Sequence, residues 1–432
     1  MDFIRIHINK LGKIVDADIE ISPLTIFCGD SGLGKSYLAM LVHYFYAILW
    51  DKSSRFTEFF KSKGFEYKRM VDGFKGEGTA LSFSKHELEE WLAKDSIYYL
   101  RYLVKNENLQ GDIEVSLPNI VPENIAFKYK EELTGLVAKD DVYILLLSDH
   151  LTYRVGNKSD NNVSDDQKSP FSFLLGAELV ATLFGDFKNF SGTFCLPPAR
   201  GAVMTEDVSA KSGLFAEFIK QKKELETARE VEKNPSTELL EELRLILDGN
   251  IQQTLGGEYV YSSRGISIPL SAAASSIREI APLEMIAKRN DVKTISVLLE
   301  EPEAHLHPLK QRMMADVVSL FVSQGASLQI TTHSDYFIRR LNELILLYRI
   351  KEKSLDVFNE KCKTLNINSN LALDFHKIAA YYLYENQQDD VSVEKQNVEN
   401  GVPFSTFQNA IKENFRIQDA LETSYESLVN NG

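Results

Sequence analysis

Apolar and polar positions alternate with a period of two in "FIRIHIN", where Ile4, Ile6 and Ile8 flank Arg5 and His7, and this predicts a strand with one buried face. "LTIFCG" is a second, wholly apolar strand. It runs directly into "GDSGLGKS", after which "YLAMLVHYFYAILW" is too long for a strand and predicts a buried helix. From 51 to 190 charged helical stretches such as "KHELEEWLAK" mix with strand-like pieces such as "VYILLLSDHLTYRV", and "GNKSDNNVSDDQKSP" predicts a polar loop. We read this region as an α/β insertion carrying specificity.

Two charged helical segments, "LFAEFIKQKKELETAREVEK" and "TELLEELRLILDG", lie on either side of "NPS". Asn234 suits a cap, Pro235 a first helical turn and Gly249 a C-terminal stop. Leu239, Leu240, Leu243 and Leu247 share one face, so the pair predicts an antiparallel helical hairpin, an arm reaching about 30 Å. A strand pair in "EYVYSSRGISIPL" turns at Arg264-Gly265. Then come the helix in "SAAASSIREIAPLEMIAK", the strand "TISVLLEE", the helix "PLKQRMMADVVSLFVSQ", the strand "SLQITTHS" and the helix "DYFIRRLNELILLYRI". The alternation predicts an α/β fold with a mixed, largely parallel sheet. Residues 1–50, 191–206 and 256–345 are expected to form its head, 51–190 the insertion, 207–255 the arm, and 346–432 a mostly helical C-terminal segment.

A chain of 432 residues, 44% hydrophobic and 25% charged, can bury two or three cores, which excludes disordered and fibrous classes. No apolar run approaches the roughly 18 to 20 residues of a membrane span, and the N-terminus lacks a signal-peptide core, so a cytoplasmic location without membrane contact is expected. Cys28, Cys195 and Cys362 are odd in number and far apart, which argues against disulfides and zinc clusters; the first two should be small buried side chains. A net charge of −14 opposes nucleic acid at long range and favours a protein partner.

Gly29, Asp30, Ser31, Gly32, Leu33, Gly34, Lys35 and Ser36 fit G-x-x-x-x-G-K-[ST] without a gap. Such a loop turns backbone N–H groups inward around phosphate oxygens, Lys35 reaches the β and γ phosphates, and Ser36 places a hydroxyl on Mg²⁺. Its place after a strand and before a helix is what ATP binding requires. At the end of "ISVLLEE", Glu300 would hold Mg²⁺ and Glu301 would orient or deprotonate the attacking water. His333, at the end of the next apolar strand, could hydrogen-bond the γ-phosphate. A different chemistry would place Glu303, His305 and His307 on one strand face as zinc or iron ligands, but Pro302 and Pro308 interrupt a regular strand there.

In this order the motifs resemble the ABC-type AAA family ATPases related to the overcoming-lysogenization-defect, RecF and Rad50 proteins, over roughly 1–50 and 191–345. The resemblance implies a P-loop NTPase with an ABC-type head, in which Lys35 and Ser36 belong to Walker A and Glu300 and Glu301 to Walker B. Ala304 to His307 look like the D-loop, His333 like the switch histidine, and "CLPPARG" with Arg200 like the loop after the Q-loop strand, although no glutamine marks it. "AAASSIRE" resembles the signature motif, so Ser275 and Ser276 are expected to face the ATP of a second copy. Ile277 replaces the usual glycine and Pro282 follows. Ser276 and Glu279 have the spacing of a capping box.

The arm is too short for a Rad50-like coiled coil, and Asp389-Asp390 lacks the framework of a Toprim nuclease. Standalone ATPases of this shape resemble subunits of bacterial anti-phage modules. The implied protein is a slow, Mg²⁺-dependent ATPase that forms a homodimer or higher homo-oligomer and controls a separately encoded effector, a nuclease or a toxin. The alternative is a DNA-repair or chromosome-associated ATPase that binds duplex DNA directly.

Overall fold

The computed structural model describes residues 3–50, 55–65, 74–133, 142–155, 170–184, 192–204, 209–227, 237–254, 257–403 and 405–430. The two strands legible in the first thirty residues are three: β1 (Arg5–Leu11), β2 (Ile14–Glu20) and β3 (Leu24–Gly29). The insertion contributes β4 (Glu77–Ser84), β5 (Gly111–Ser116), β6 (Asn124–Leu133), β7 (Val142–Leu147) and β8 (Thr152–Val155). Further on lie β9 (Gly192–Leu196), β10 (Asn250–Gln253), β11 (Tyr259–Ser263), β12 (Ile266–Pro269), β13 (Ile295–Glu300), β14 (Ser327–Thr332), β15 (Ile378–Glu385) and β16 (Val391–Lys395).

Nine of these strands form one sheet in the order β5-β1-β2-β16-β15-β3-β14-β13-β9. The run from β15 to β9 is parallel throughout, whereas β1 pairs antiparallel with β2 and β5, and β15 with β16. The fold is therefore α/β with a mixed, largely parallel sheet. β13 and β14 are buried at every position because helices cover both faces, which is why their sequences read as apolar runs without alternation. Side chains still part by face. Phe27, Leu298 and Tyr381 join the core under the helix Lys35–Trp50, while Ile26, Val297, Leu299 and Ala380 join the opposite core with the helices Ser275–Arg289 and Pro308–Ser323.

Three expectations need correction. The C-terminal segment is mostly helical, but it does not stand apart from the head, because β15 lies beside β3 at the sheet's centre and β16 links it to β2. "IAAYYLYE" is a largely apolar run, buried from Ile378 to Tyr381 and again at Leu383, with no motif in it. The insertion shares a core with the head: Phe59, Phe83 and Leu88 pack in the same cluster as Leu38 and Tyr44, and β5 closes one edge of the main sheet beside β1. Arg55 grips Asp95 with two bonds of 2.8 Å, and the Tyr44 hydroxyl donates to the same carboxylate at 2.9 Å.

The third correction concerns the arm. Leu239, Leu240, Leu243 and Leu247, expected to line a hairpin seam, are buried against the helices Ser275–Arg289 and Pro308–Ser323. The helix Leu214–Thr227 packs on β9 and on the Ser275 helix. A leucine stripe specifies burial without naming its partner, and here the partner is the body. The Asn234 and Pro235 signals and most of the polar loop at 156–170 lie outside the described residues. The hairpin of β11 and β12 turns where expected, with Arg264 and Gly265 at φ +48° and +81°. Among the described residues no helix is long and apolar enough to cross a membrane.

Candidate functional site

β3, β14 and β13 are parallel neighbours, so their C-terminal ends open on one crevice, the usual place for a ligand in a parallel sheet. β3 delivers the glycine loop, β13 delivers Glu300 and Glu301, and β14 delivers Thr331, Thr332 and then His333. An open cleft of about 460 Å³ is lined by Ser31, Gly32, Leu33, Gly34, Lys35, Ser36, Glu301, Thr331 and His333, with Leu11 to Ile14 of the β1–β2 turn and Tyr37 on its rim. Residues separated by some 300 positions thus share one wall.

Gly29, Gly32 and Gly34 have φ of +132°, +82° and +90°, a region that other residues enter with strain. Gly29 has a second reason to be glycine, because a Cβ there would sit inside contact distance of the Leu383 carbonyl oxygen on β15. A Cβ on Gly34 would meet Ile14 Cδ1 at 2.9 Å. Lys35 folds back over the loop, its Nζ donating to the carbonyls of Gly29 at 3.0 Å and Asp30 at 2.6 Å. Burial holds its ammonium below the usual lysine range, against the pull of Glu301. Among the described residues this cation meets loop carbonyls and the charges of Glu301, Asp30 and Glu303, which is an arrangement suited to an incoming anion.

The Ser36 hydroxyl faces the Glu300 carboxylate, which is 4% exposed; burial, with Glu301 adding to it, pushes that carboxyl above its usual range against the pull of Ser36. Glu300 Oε1 has no partner among the described residues. A serine hydroxyl beside a buried, under-bonded carboxylate suits a hard divalent cation such as Mg²⁺, which takes oxygen ligands and keeps several waters. Glu301 is half-exposed and adopts φ +45°, an outlier for a non-glycine residue. Its N–H is fixed by the Thr331 carbonyl at 3.0 Å. The His333 Nε2 lies 3.9 Å from Glu301 Oε1, and its ring also hydrogen-bonds the Gly29 carbonyl. Partial burial first and Lys35 second hold the imidazole below its usual pKa, so it is neutral at neutral pH.

Glu303 does not act with His305 and His307. Its Oε1 accepts from the Thr332 hydroxyl at 2.9 Å and the His333 N–H at 2.6 Å, and so fastens the end of β14. His305 points to solvent at φ +60°, and His307 is the N-cap of the helix Pro308–Ser323. Among the described residues no three His, Cys, Asp or Glu side chains form a metal cluster. Nothing in the sequence marks the Thr332 contact of Glu303.

Ser275 and Ser276 start the helix Ser275–Arg289 but do not line the cleft of their own chain. The expected capping box is absent: Ala274 is the N-cap, without a side-chain bond. Glu279 turns inward instead, accepting from the Gly201 N–H at 3.0 Å, because Arg200 and Gly201 lie directly beneath it. Cys28 and Cys195 are buried as expected; burial pushes the Cys28 thiol up to about 12.

A family model described as an AAA ATPase domain matches residues 202–338, a span that contains the serine pair, both carboxylates and His333 but begins after the glycine loop. No curated protein matches the chain. Solved structures overlap with it loosely, among them three SMC heads. The crystal structure of the SmcHead bound to the C-winged helix domain of ScpA has 11% identity and a TM-score of 0.39, covering 92% of this chain and 98% of that one. The SMC head domain from Thermotoga maritima has 10% identity and a TM-score of 0.34, covering 92% and 100%. The Smc head domain with an extended coiled coil bound to the C-terminal domain of ScpA, derived from Pyrococcus furiosus, has 10% identity and a TM-score of 0.35, covering 97% and 100%. These overlaps are loose, and the site is defined by its own geometry.

Proposed function

We propose that the chain is an ATPase whose turnover switches a homodimer between two states and thereby controls a separately encoded effector. The observation that carries the catalytic part is the meeting of Ser36 with Glu300, and of Glu301 with His333, at the ends of adjacent parallel strands beside the glycine loop. The loop N–H groups and Lys35 bind the phosphates. Ser36 and Glu300 hold Mg²⁺, which when bound neutralises charge on the transferring phosphoryl group.

Glu301 is the general base for the attacking water. It is solvent-accessible where Glu300 is not, and its left-handed backbone turns its carboxylate into the cleft. His333, kept neutral, carries a single ring N–H, which would move from the Gly29 carbonyl to the phosphate end while Glu303 holds its backbone. Ser275 and Ser276, remote from their own cleft, face the nucleotide of the second copy.

Control of a nuclease or toxin in anti-phage defence rests on the family resemblance alone, which is weaker support than the site. Direct duplex binding is the less favoured reading, because the net charge is −14. Phosphate release from ATP and Mg²⁺ by the intact chain and by Glu301→Gln tests the central reading. We expect slow turnover that the substitution abolishes while ATP still binds; equal rates in both proteins would overturn it.

A further inference from the structure

Arg200 is the largest fully buried side chain of the described residues, at 0% exposure. Burying a guanidinium is costly unless its charge and its donors are met, so the identity of its partners carries information. None of its short contacts is a carboxylate. Nε donates to the Glu279 carbonyl at 2.8 Å, and Nη1 donates to the carbonyls of Glu300 at 2.9 Å and Pro197 at 3.2 Å. The nearest acid oxygen is Glu279 Oε2 at 3.6 Å.

Those three carbonyls belong to the second turn of the serine-pair helix, to the last residue of β13, and to the end of β9. One side chain therefore bridges the backbone carrying Ser275 and Ser276 to the backbone carrying Glu300. The N–H of the same peptide belongs to Glu301, which is held at φ +45°. A peptide whose carbonyl accepts from Arg200 and whose N–H donates to Thr331 on β14, next to a strained Cα, responds to small shifts of either support. The contact between helix and clamp is also tight. A Cβ on Gly201 would come within 2.9 Å of Glu279 Oε1 and 3.1 Å of Arg278 Cβ.

The clamp is not saturated. Arg200 Nη2, Glu279 Oε2, Glu300 Oε1 and Glu303 Oε2 are all buried with no bonding partner among the described residues. Unmatched donor and acceptors in one core allow a second bonding arrangement, which a closed network would not.

We propose that Arg200 is a positioning residue that couples the helix beginning at Ser275 to the Glu300–Glu301 step, so that displacement of this helix sets the placement of the catalytic carboxylate. The inference rests on the ATPase reading. Arg200 itself touches no reactant. Lysine cannot replace it, because one ammonium cannot hold three carbonyls in the plane of a guanidinium.

The test uses the intact chain and compares Arg200→Lys, Gly201→Ala, Ser276→Ala and the double variant Arg200→Lys/Ser276→Ala. Wild-type phosphate release is the control: no hydrolysis there refutes the ATPase reading, independently of the coupling. Given wild-type hydrolysis, we expect Arg200→Lys to lower single-turnover hydrolysis by about 10- to 100-fold with ATP affinity within about 2-fold. Ser276→Ala in the Arg200→Lys background should then cost less than it does alone, since the relay is already broken.

A clamp with only a structural role would lower ATP binding and turnover together and leave the two substitutions additive, and that result would overturn the proposal. If Arg200→Lys yields no folded protein, Gly201→Ala decides. It keeps the guanidinium and pushes on Glu279, so it should slow hydrolysis at unchanged ATP affinity; wild-type hydrolysis in that variant would also overturn the proposal.

Discussion

The same four elements build two polar clusters of opposite character. At the strand tips the helix Lys35–Trp50 gives Lys35 and Ser36, β13 gives Glu300, and Arg200 and His333 follow β9 and β14. About two helical turns deeper the same helix gives His43, β13 gives Ser296, β14 gives Gln329 and β9 gives Cys195. In the deeper cluster the bonds close on one another. His43 Nδ1 meets Gln329 Oε1 at 3.2 Å, His43 Nε2 meets the Cys195 thiol at 3.2 Å, and Gln329 Nε2 donates to the Ser296 hydroxyl at 3.1 Å. At the tips, bonds stay open, φ angles are strained and carboxyls stand above their usual range. A closed buried network fixes how helix and sheet sit together, whereas an open one keeps capacity for a ligand.

Substitutions at the two levels should separate these roles. The largest effect is expected for Glu301→Gln, which should reduce ATP hydrolysis by about 10²- to 10⁴-fold while nucleotide binding persists, as measured by phosphate release and by titration with a fluorescent ATP analogue. Lys35→Met should weaken nucleotide binding by about 10- to 100-fold through loss of the charge-assisted phosphate contacts, with little change in Tm. Gly29→Ala stands between the levels: the added methyl collides with β15, so we expect a loss of about 1 to 3 kcal/mol in denaturant unfolding together with lost binding.

His43→Gln should leave ATP affinity nearly unchanged and cost about 1 to 3 kcal/mol of stability. Its pH dependence is specific. Burial pushes the His43 pKa down to about 4, whereas the unfolded chain takes up the same proton near 6.5. The unfolded state therefore binds more protons between these values, and the wild-type protein should lose stability as pH falls from about 6.5 toward 4. The variant should flatten that slope in urea unfolding; an unchanged slope would show that the deeper cluster does not hold a neutral histidine. The smallest effect is expected at His305→Asn, within about 0.5 kcal/mol, with zinc or a chelator leaving Tm where it was.

The site was more legible in the sequence than its supports. Lys35, Ser36, Glu300, Glu301 and His333 each sit at the end of an apolar run, and parallel strands bring such ends together, so order along the chain was enough to place them. Arg200 could be picked out by resemblance, but its burial under the serine-pair helix could not, because a charged residue after "LPP" reads as a loop. Glu303 and His305 illustrate the limit from the other side. Two residues apart and both able to ligate a metal, they part once His305 enters the left-handed region, Glu303 buried and His305 exposed. The leucines at 239 to 247 and the strand at 378–385 announced burial but not against what, and tertiary neighbours decide that.

β3 is flanked by β14 and β15, whose residues 327–332 and 378–385 follow the glycine loop by about three hundred residues. A growing chain therefore displays the glycine loop long before the strands that seat it have been made. Until then the most recognisable motif of this protein is an unsupported segment, and competence to bind nucleotide should switch on abruptly once β15 has joined β3. ATP capture by ribosome-released fragments of increasing length would chart that threshold. On this view nucleotide occupancy marks a sheet that has closed around β3 as well as an active site.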